Sequence, residues 1–243
     1  MHTTNFWNQH HLQGKKIIAL LLLCLPLWVM GQDNVKKNDA KFKKRPFHFG
    51  IHMGFNTSDF KVRLSDQFTY SDSILSVNAK GGPGFNLNIL GALHLNKNFE
   101  LRVVPGVAFM EKTLQYGVIG TDELVDKKIE SIYIETPIHL KFKSDPIKDF
   151  KIYVFAGIKY GFDMAANAKA RRAEDLIKLS QHDLALDYGV GFEFHFPLFI
   201  LSPEFKVSNG LINIHARDNN LIYSRMLDGL RTRAFLFSLN FEG

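Results

Sequence analysis

From Phe47 onward apolar and polar residues alternate with a period of two, interrupted at intervals by turn residues. That is the signature of strands with two unlike faces. Eight strand cores follow from it: 49–55, 85–95, 101–109, 132–142, 152–162, 186–196, 201–207 and 235–241. In the first, Phe49, Ile51, Met53 and Phe55 share one face and Gly50, His52 and Gly54 the other. In the sixth, Leu186, Tyr188, Val190, Phe192, Phe194 and Phe196 stand opposite Asp187, Gly189, Gly191, Glu193 and His195. Over all eight cores the apolar face has 41 positions and no charge, whereas the other face has 33 positions, eight of them charged.

Side-chain volume decides which face points outward. A closed eight-stranded sheet has an interior just wide enough to be filled by side chains. The polar face carries Gly50, Gly54, Gly106, Gly157, Gly161, Gly189 and Gly191, with Ala92 and Ala108. The apolar face is Phe, Leu, Ile and Tyr almost throughout, too bulky for such a lumen. The small polar face is therefore expected inside and the large apolar face against lipid, where an Arg or Lys at the midplane would cost about 2–4 kcal/mol. The predicted fold is all-β: an eight-stranded antiparallel up-and-down transmembrane β-barrel with a polar, side-chain-filled lumen.

Connection lengths give an orientation. Short turns follow the second, fourth and sixth cores, at 96–98, 144–149 and 197–199, and long segments follow the others, at 57–83, 117–128, 165–182 and 211–229. Short periplasmic turns and long external loops are the outer-membrane arrangement, and an even strand number puts both termini in the periplasm. The last core, Phe235 to Phe241, has the aromatic alternation of a closing outer-membrane strand, although Glu242 and Gly243 follow it.

The N-terminus reads differently. Lys15 and Lys16 precede the apolar run 17–30, which ends at Gly31. This is the pattern of a secretory signal peptide over 1–31, with cleavage before Gln32 and a basic periplasmic tail over 32–46 ahead of the barrel at 47–243. Cys24 sits inside the apolar run without the small residue a lipoprotein site needs before it. Removal of 1–31 leaves 243 − 31 = 212 residues with neither Cys nor Trp, which excludes a disulfide framework. Net charge falls from +6 to +4, because Lys15 and Lys16 are lost and no acid is. A balance that small does not argue for nucleic acid. The whole chain is 46% hydrophobic with a mean hydropathy of −0.08, which excludes both a disordered chain and a bundle of membrane helices.

Candidate chemistry sits mostly in the lumen. Arg102, Lys141, Lys159 and Lys206 balance Glu135, Asp187, Glu193 and Glu204 there, and buried charge is tolerable when paired. A salt-bridged plug is expected, with no water channel. His52, His94, His139 and His195 fall on four strands with no spacing that pairs them, so they are expected as hydrogen-bonding filler and no metal is expected. Glu193, His195 and Ser202 do not have the spacing of a hydrolytic site, so neither catalysis, a cofactor nor a small-molecule substrate is expected. Outside the lumen, Lys43, Lys44 and Arg45 in the tail and Arg171 and Arg172 in a helix-prone loop over 165–179 are candidate partner contacts. Lipopolysaccharide phosphates are the default for the loop residues. The apolar segment 211–229 is expected either to fold over the barrel mouth or to serve as a partner patch.

Three stretches resemble a known family. FHFGIHMGFNTSDF at Phe47 to Phe60, SPEFKVSNGL at Ser202 to Leu211 and the closing LNFE are similar to the PorT family, also called SprT; YIETPIHLKFK at Tyr133 to Lys143 is shared more broadly among barrels. Those proteins are small outer-membrane β-barrels of type IX secretion and gliding motility. The resemblance spans nearly all of 32–243. It implies an integral outer-membrane protein needed for export of proteins with C-terminal sorting domains, with other secretion components as partners and no catalytic residues. The alternative is a structural or adhesive OmpX-like barrel without a secretion role, and a lipid-modifying enzyme ranks third.

Overall fold

The computed structural model describes residues 46–69, 74–118, 120, 124–166, 177–217 and 222–243. The expected signal peptide, the tail up to Arg45 and the loop residues Arg171 and Arg172 lie outside the described residues. Nine strand segments form the wall: β1 (Phe47–Leu64), β2 (Ile74–His94), β3 (Phe99–Val103), β4 (Gly106–Val118), β5 (Leu124–Lys143), β6 (Phe150–Asp163), β7 (His182–His195), β8 (Ile200–Gly210) and β9 (Leu227–Glu242). Two short helices, α1 (Asp66–Thr69) and α2 (Ile222–Arg225), sit in the connections. Sequential neighbours pair antiparallel except β3 and β4, and β1 pairs with both β2 and β9, so the sheet closes into a ring. Among the described residues no helix is long and apolar enough to cross a membrane. Crossing falls to the strands.

The count of nine reduces to eight around the circumference. Both β3 and β4 pair with β2 on one side and β5 on the other. They are one wall strand interrupted at Val104 and Pro105, where proline has no N–H to give to the ladder. The interruption keeps its polar groups satisfied: Val104 N donates to Pro137 O at 3.0 Å, and Pro105 O accepts from Ile89 N at 2.9 Å. Alternation passes through it intact, with Arg102, Val104 and Ala108 buried and Pro105 and Phe109 exposed.

The strands run further than expected. Segments 57–83 and 117–128 were expected as external connections, but β1 and β2 extend to Leu64 and back from Ile74, and β4 and β5 to Val118 and from Leu124. A tilted strand of about 9–11 residues spans a bilayer, so β1, β2 and β5 at 18, 21 and 20 residues overshoot it. The overshoot carries an inverted pattern. Phe60, Leu114, Tyr116, Ile129 and Leu230 point inward and pack with Ile74, Ile214, Met226 and Leu227 into a buried apolar cluster, while Asp59, Lys61, Glu130 and Arg231 point outward. Water rather than lipid surrounds this end, and the usual inside-apolar arrangement returns.

The connecting segments at this end close over it. Ile214 is fully buried, its N–H donates to Leu230 O at 2.9 Å, and its carbonyl accepts from Ser180 N at 2.7 Å. Ala216 N donates to Lys178 O, and Leu179 bridges His215. Of the two expectations for 211–229, its described residues take the first, folding over the mouth.

Candidate functional site

The lumen is the candidate site, since it holds nearly all the chemistry-bearing residues. The eight charges named from the sequence are all buried and pair one to one. Arg102 Nη2 donates to Glu204 Oε2, Lys141 Nζ meets Glu193 Oε1 at 2.6 Å, Lys159 Nζ meets Glu135 Oε2 at 3.5 Å, and Lys206 Nζ meets Asp187 Oδ2 at 3.6 Å. None of these pairs is adjacent in sequence; the closed ring assembles each of them. Neutral groups add hydrogen bonds to two of these carboxylates. Tyr153 OH and Asn240 Nδ2 donate to Glu204 at 3.0 and 3.3 Å, and Asn86 and Asn88 donate to Glu135 at 2.8 and 3.1 Å.

Sequence reasoning missed a second tier at the short-turn end. Glu100, Lys143 and Glu242 are buried, and Lys143 Nζ lies 2.5 Å from Glu100 while Lys141 Nζ lies 3.6 Å from the same carboxylate. Glu242 accepts from Ser202 Oγ at 3.0 Å and lies 2.6 Å from His48 Nε2. Each missed residue is one alternation step beyond a strand core as first drawn: Glu100 beyond Arg102, Lys143 beyond Lys141, Glu242 beyond Asn240. Continuing the period by two residues would have found them. Glu242, which looked like a departure from the closing-strand pattern, is a lumen residue.

The histidines are placed by the same network. His52 Nδ1 lies 2.5 Å from Asn240 Oδ1, and His139 Nε2 lies 3.2 Å from Asp187 Oδ2. A fifth histidine, His48, joins this group through strand pairing. Pairing of β1 with β2 brings His48 beside His94, ring centroids 4.9 Å apart, and with Glu100 they form a three-donor group within 4.8 Å. Donor count and reach would suit a metal ion. The carboxylate, however, already faces two ammonium groups, and Lys143 Nζ is 3.5 Å from His94 Nδ1. A lysine ammonium stands where a metal cation would have to enter, so the arrangement fits an ion-pair network better than a metal centre.

Aromatic rings fill what remains. Tyr153 and Phe155 point inward from β6 and lie over Gly191 and Gly189 of β7. A Cβ on Gly191 would sit 2.3 Å from the Tyr153 ring, and one on Gly189 would sit 2.6 Å from the Phe155 ring and 2.2 Å from Phe205 O. The glycines are therefore space for rings. The ring of Tyr153 also receives Lys141 Nζ at 3.9 Å from its centroid, and Phe155 receives the Arg102 guanidinium at 5.2 Å. Above them Lys112 Nζ is buried without a hydrogen-bond partner among the described residues, 4.8 Å from the Tyr133 ring centroid. It borders a cavity of about 10 Å³, room for one water molecule. With polar filling below and the apolar cluster above, the described lumen holds no passage of molecular width.

A closed, filled eight-strand ring with an apolar outer belt is the geometry of a small outer-membrane barrel. The sequence profile of the outer membrane protein beta-barrel domain matches residues 31–216. The chain belongs to that family. Membership places it in the outer membrane and agrees with the lipid-facing belt. A search of curated proteins gives no match. Solved structures with a similar course of chain include the outer membrane protein OprG from Pseudomonas aeruginosa, at 16% identity over 80% of this chain and 94% of that one, with a TM-score of 0.46. Neisserial surface protein A is similar at 11% identity over 79% and 95% of the two chains, TM-score 0.41. Ail, the attachment invasion locus protein of Yersinia pestis, is similar at 13% identity over 82% and 100%, TM-score 0.36.

Proposed function

We propose that this barrel is a non-enzymatic component of the type IX protein secretion system, needed for export of proteins with C-terminal sorting domains, and that it supports or modulates the machine while the conduit lies elsewhere. The observation that carries the last part is the closed lumen: a ring filled by paired charges, aromatic rings and an apolar cap passes no folded cargo. The secretion assignment itself rests on the PorT-like stretches at Phe47 to Phe60 and Ser202 to Leu211. In this reading the short turns and both termini face the periplasm, outer-membrane lipid and lipopolysaccharide surround the belt, and Lys43, Lys44, Arg45, Arg171 and Arg172 contact partner subunits.

Deletion of the gene tests the reading directly. Cargo with C-terminal sorting domains should accumulate in the periplasm and return to the medium on complementation with the wild-type gene. Normal export removes the secretion role and leaves the barrel. Two further measurements sharpen it: single-channel recording of the purified protein should give no stable large conductance, and lipid A and phospholipid mass spectra should be unchanged by the deletion. A structural or adhesive barrel is the second reading, favoured by the overshooting strands, which with their own apolar core hold a rigid surface beyond the membrane. Normal export together with lost surface attachment would select it.

A further inference from the structure

The outer surface of the β1–β9 seam changes character where the apolar belt ends. Within the belt the register sets Ile51 opposite Phe241, Met53 opposite Leu239, Phe55 opposite Phe237 and Thr57 opposite Phe235. The next outward-facing pairs are Asp59 with Arg233, Lys61 with Arg231 and Arg63 with Gly229. Arg233 forks onto Asp59 at 2.9 and 2.7 Å, and Arg63 meets Asp228 at 2.9 Å. Lys61 and Arg231 are exposed, directly opposite each other, and without a hydrogen-bond or ion-pair partner among the described residues. Like charges directly opposite on an antiparallel pair are destabilising. Nothing in the inner packing explains the pair, because both side chains point away from the barrel.

Position supplies the explanation. The Arg233 guanidinium lies 5.8 Å from the ring centroid of Phe235, the last lipid-facing aromatic on β9, so the first cation of the ladder sits at the belt's edge. One alternation step further, roughly 7 Å along the strand, come Lys61 and Arg231. That is the depth of a lipid head group whose acyl chains lie on Phe55, Phe235 and Phe237.

We propose that the β1–β9 seam binds the phosphorylated head group of an outer-leaflet glycolipid, with Lys61 and Arg231 bridged by phosphate and with Arg63 and Arg233 flanking it. The site is distinct from any secretion role and rests only on the orientation given above, with the long-loop end outside. A phosphate accepts from the arginine fork and the ammonium together and turns the repelling pair into a clamp. The two salt-bridged arginines fix its edges, and the aromatic ladder below holds the chains. A free anion would gain only the upper half of this surface.

The test uses the purified full-length barrel in detergent micelles, titrated with lipid A and with dephosphorylated lipid A. Bound lipid is read by native mass spectrometry, and stability by the thermal midpoint. Lipid A should bind and raise the midpoint, and the dephosphorylated form should do so far less. Lys61→Glu with Arg231→Glu should lower lipid A affinity at least tenfold, with the neutral pair Lys61→Gln and Arg231→Gln moving the same way if the reversal fails to fold. Lys97→Glu, at the short-turn end, should leave affinity unchanged. The single change Lys61→Glu carries a signature of opposite signs: a higher midpoint without lipid, since Glu then faces Arg231, and weaker lipid A binding. Unchanged affinity in both double variants overturns the proposal, as does equal binding of the dephosphorylated lipid. If millimolar inorganic phosphate reproduces the midpoint rise, the seam is a free-anion site and the head-group assignment fails. Protease accessibility of the loops in whole cells reads the orientation separately.

Discussion

Below Met110 and Ser131 the wall turns Phe, Leu and Ile outward and fills itself with ion pairs; above them the same strands turn Phe60, Leu114, Tyr116 and Leu230 inward and put Lys and Arg outside. One tube thus packs its interior in two opposite ways, and the surroundings decide which. Lipid accepts the apolar face, so the lower lumen must be polar and its charges must find partners. Water accepts the polar face, so the upper lumen can be filled by the hydrophobic effect. The two fillings are expected to fail differently. Loss of one charge below leaves another charge stranded, whereas loss of one apolar group above leaves a hole.

The largest effect should come from stranding a charge. Arg102→Met leaves Glu204 fully buried with hydrogen-bond donors but without its cation, which costs about 3–5 kcal/mol for a pair broken on one side. Adding Glu204→Leu should restore most of the loss, because a well-packed apolar pair replaces a buried ion pair at little cost. Urea titration of the barrel in lipid vesicles measures both. A single variant as stable as the wild type would mean that water reaches the pair.

In the upper region Leu114→Ala should cost about 2–5 kcal/mol, the range for a cavity in a packed core. Its reach should be local. Protease sensitivity of 57–83 and 117–128 should rise while the membrane band keeps the folded gel mobility of the wild type. If the band unfolds in step with the upper hairpins, the two fillings form one cooperative unit and the contrast between them is only compositional.

This division also explains what the chain made legible. Lipid-facing alternation with uncharged outer positions marks the fold, the inside and outside faces, and the eight lumen charges, Arg102 and Glu204 among them, without saying which pairs with which. The same search stopped at Phe55, Phe109, Ile132 and Phe235, because beyond them apolar residues move to the other face and the pattern reads as lost. A soluble-type sheet search started at Phe60 or Leu114 would have continued the strands. Pairing partners were less legible. The His48 and His94 contact depends on the register of β1 against β2, and no spacing within either strand encodes it. Pro105 misled in neither direction: it breaks hydrogen bonding without breaking alternation.

A smaller effect probes shape alone in the polar region. Gly191→Ala adds one methyl group 2.3 Å from the Tyr153 ring, an overpacking of about 1–3 kcal/mol. Tyr153→Leu should relieve it, so the double variant should be more stable than the sum of the single changes predicts. A double-mutant cycle in urea reads that coupling. Additive costs would mean that the ring moves aside and that the glycine serves the backbone instead.

The smallest effect concerns the cover of the upper region and depends on pH. His215 is buried in the loop closing the mouth, its Nε2 2.9 Å from Ser224 Oγ, and burial, then the nearby Arg217, holds its imidazole below the ordinary value of 6.5. Above that value the ring is neutral whether the loop is closed or open, and pH has no leverage. As pH falls through 6.5 the open loop takes up the proton first, so closure loses stability until the closed-state value is passed, and then levels off. The direction is therefore weaker closure in acid. Protection of the Ile214 and Ala216 amides, bonded to Leu230 O and Lys178 O, should fall between pH 7.5 and 5.5, leaving exchange in excess of what the intrinsic slowing in acid allows. In His215→Gln that excess should vanish, while amides of the lipid-facing band keep the same protection in both proteins. An excess that persists in His215→Gln would place the acid sensitivity in another group and make the loop a passive cover.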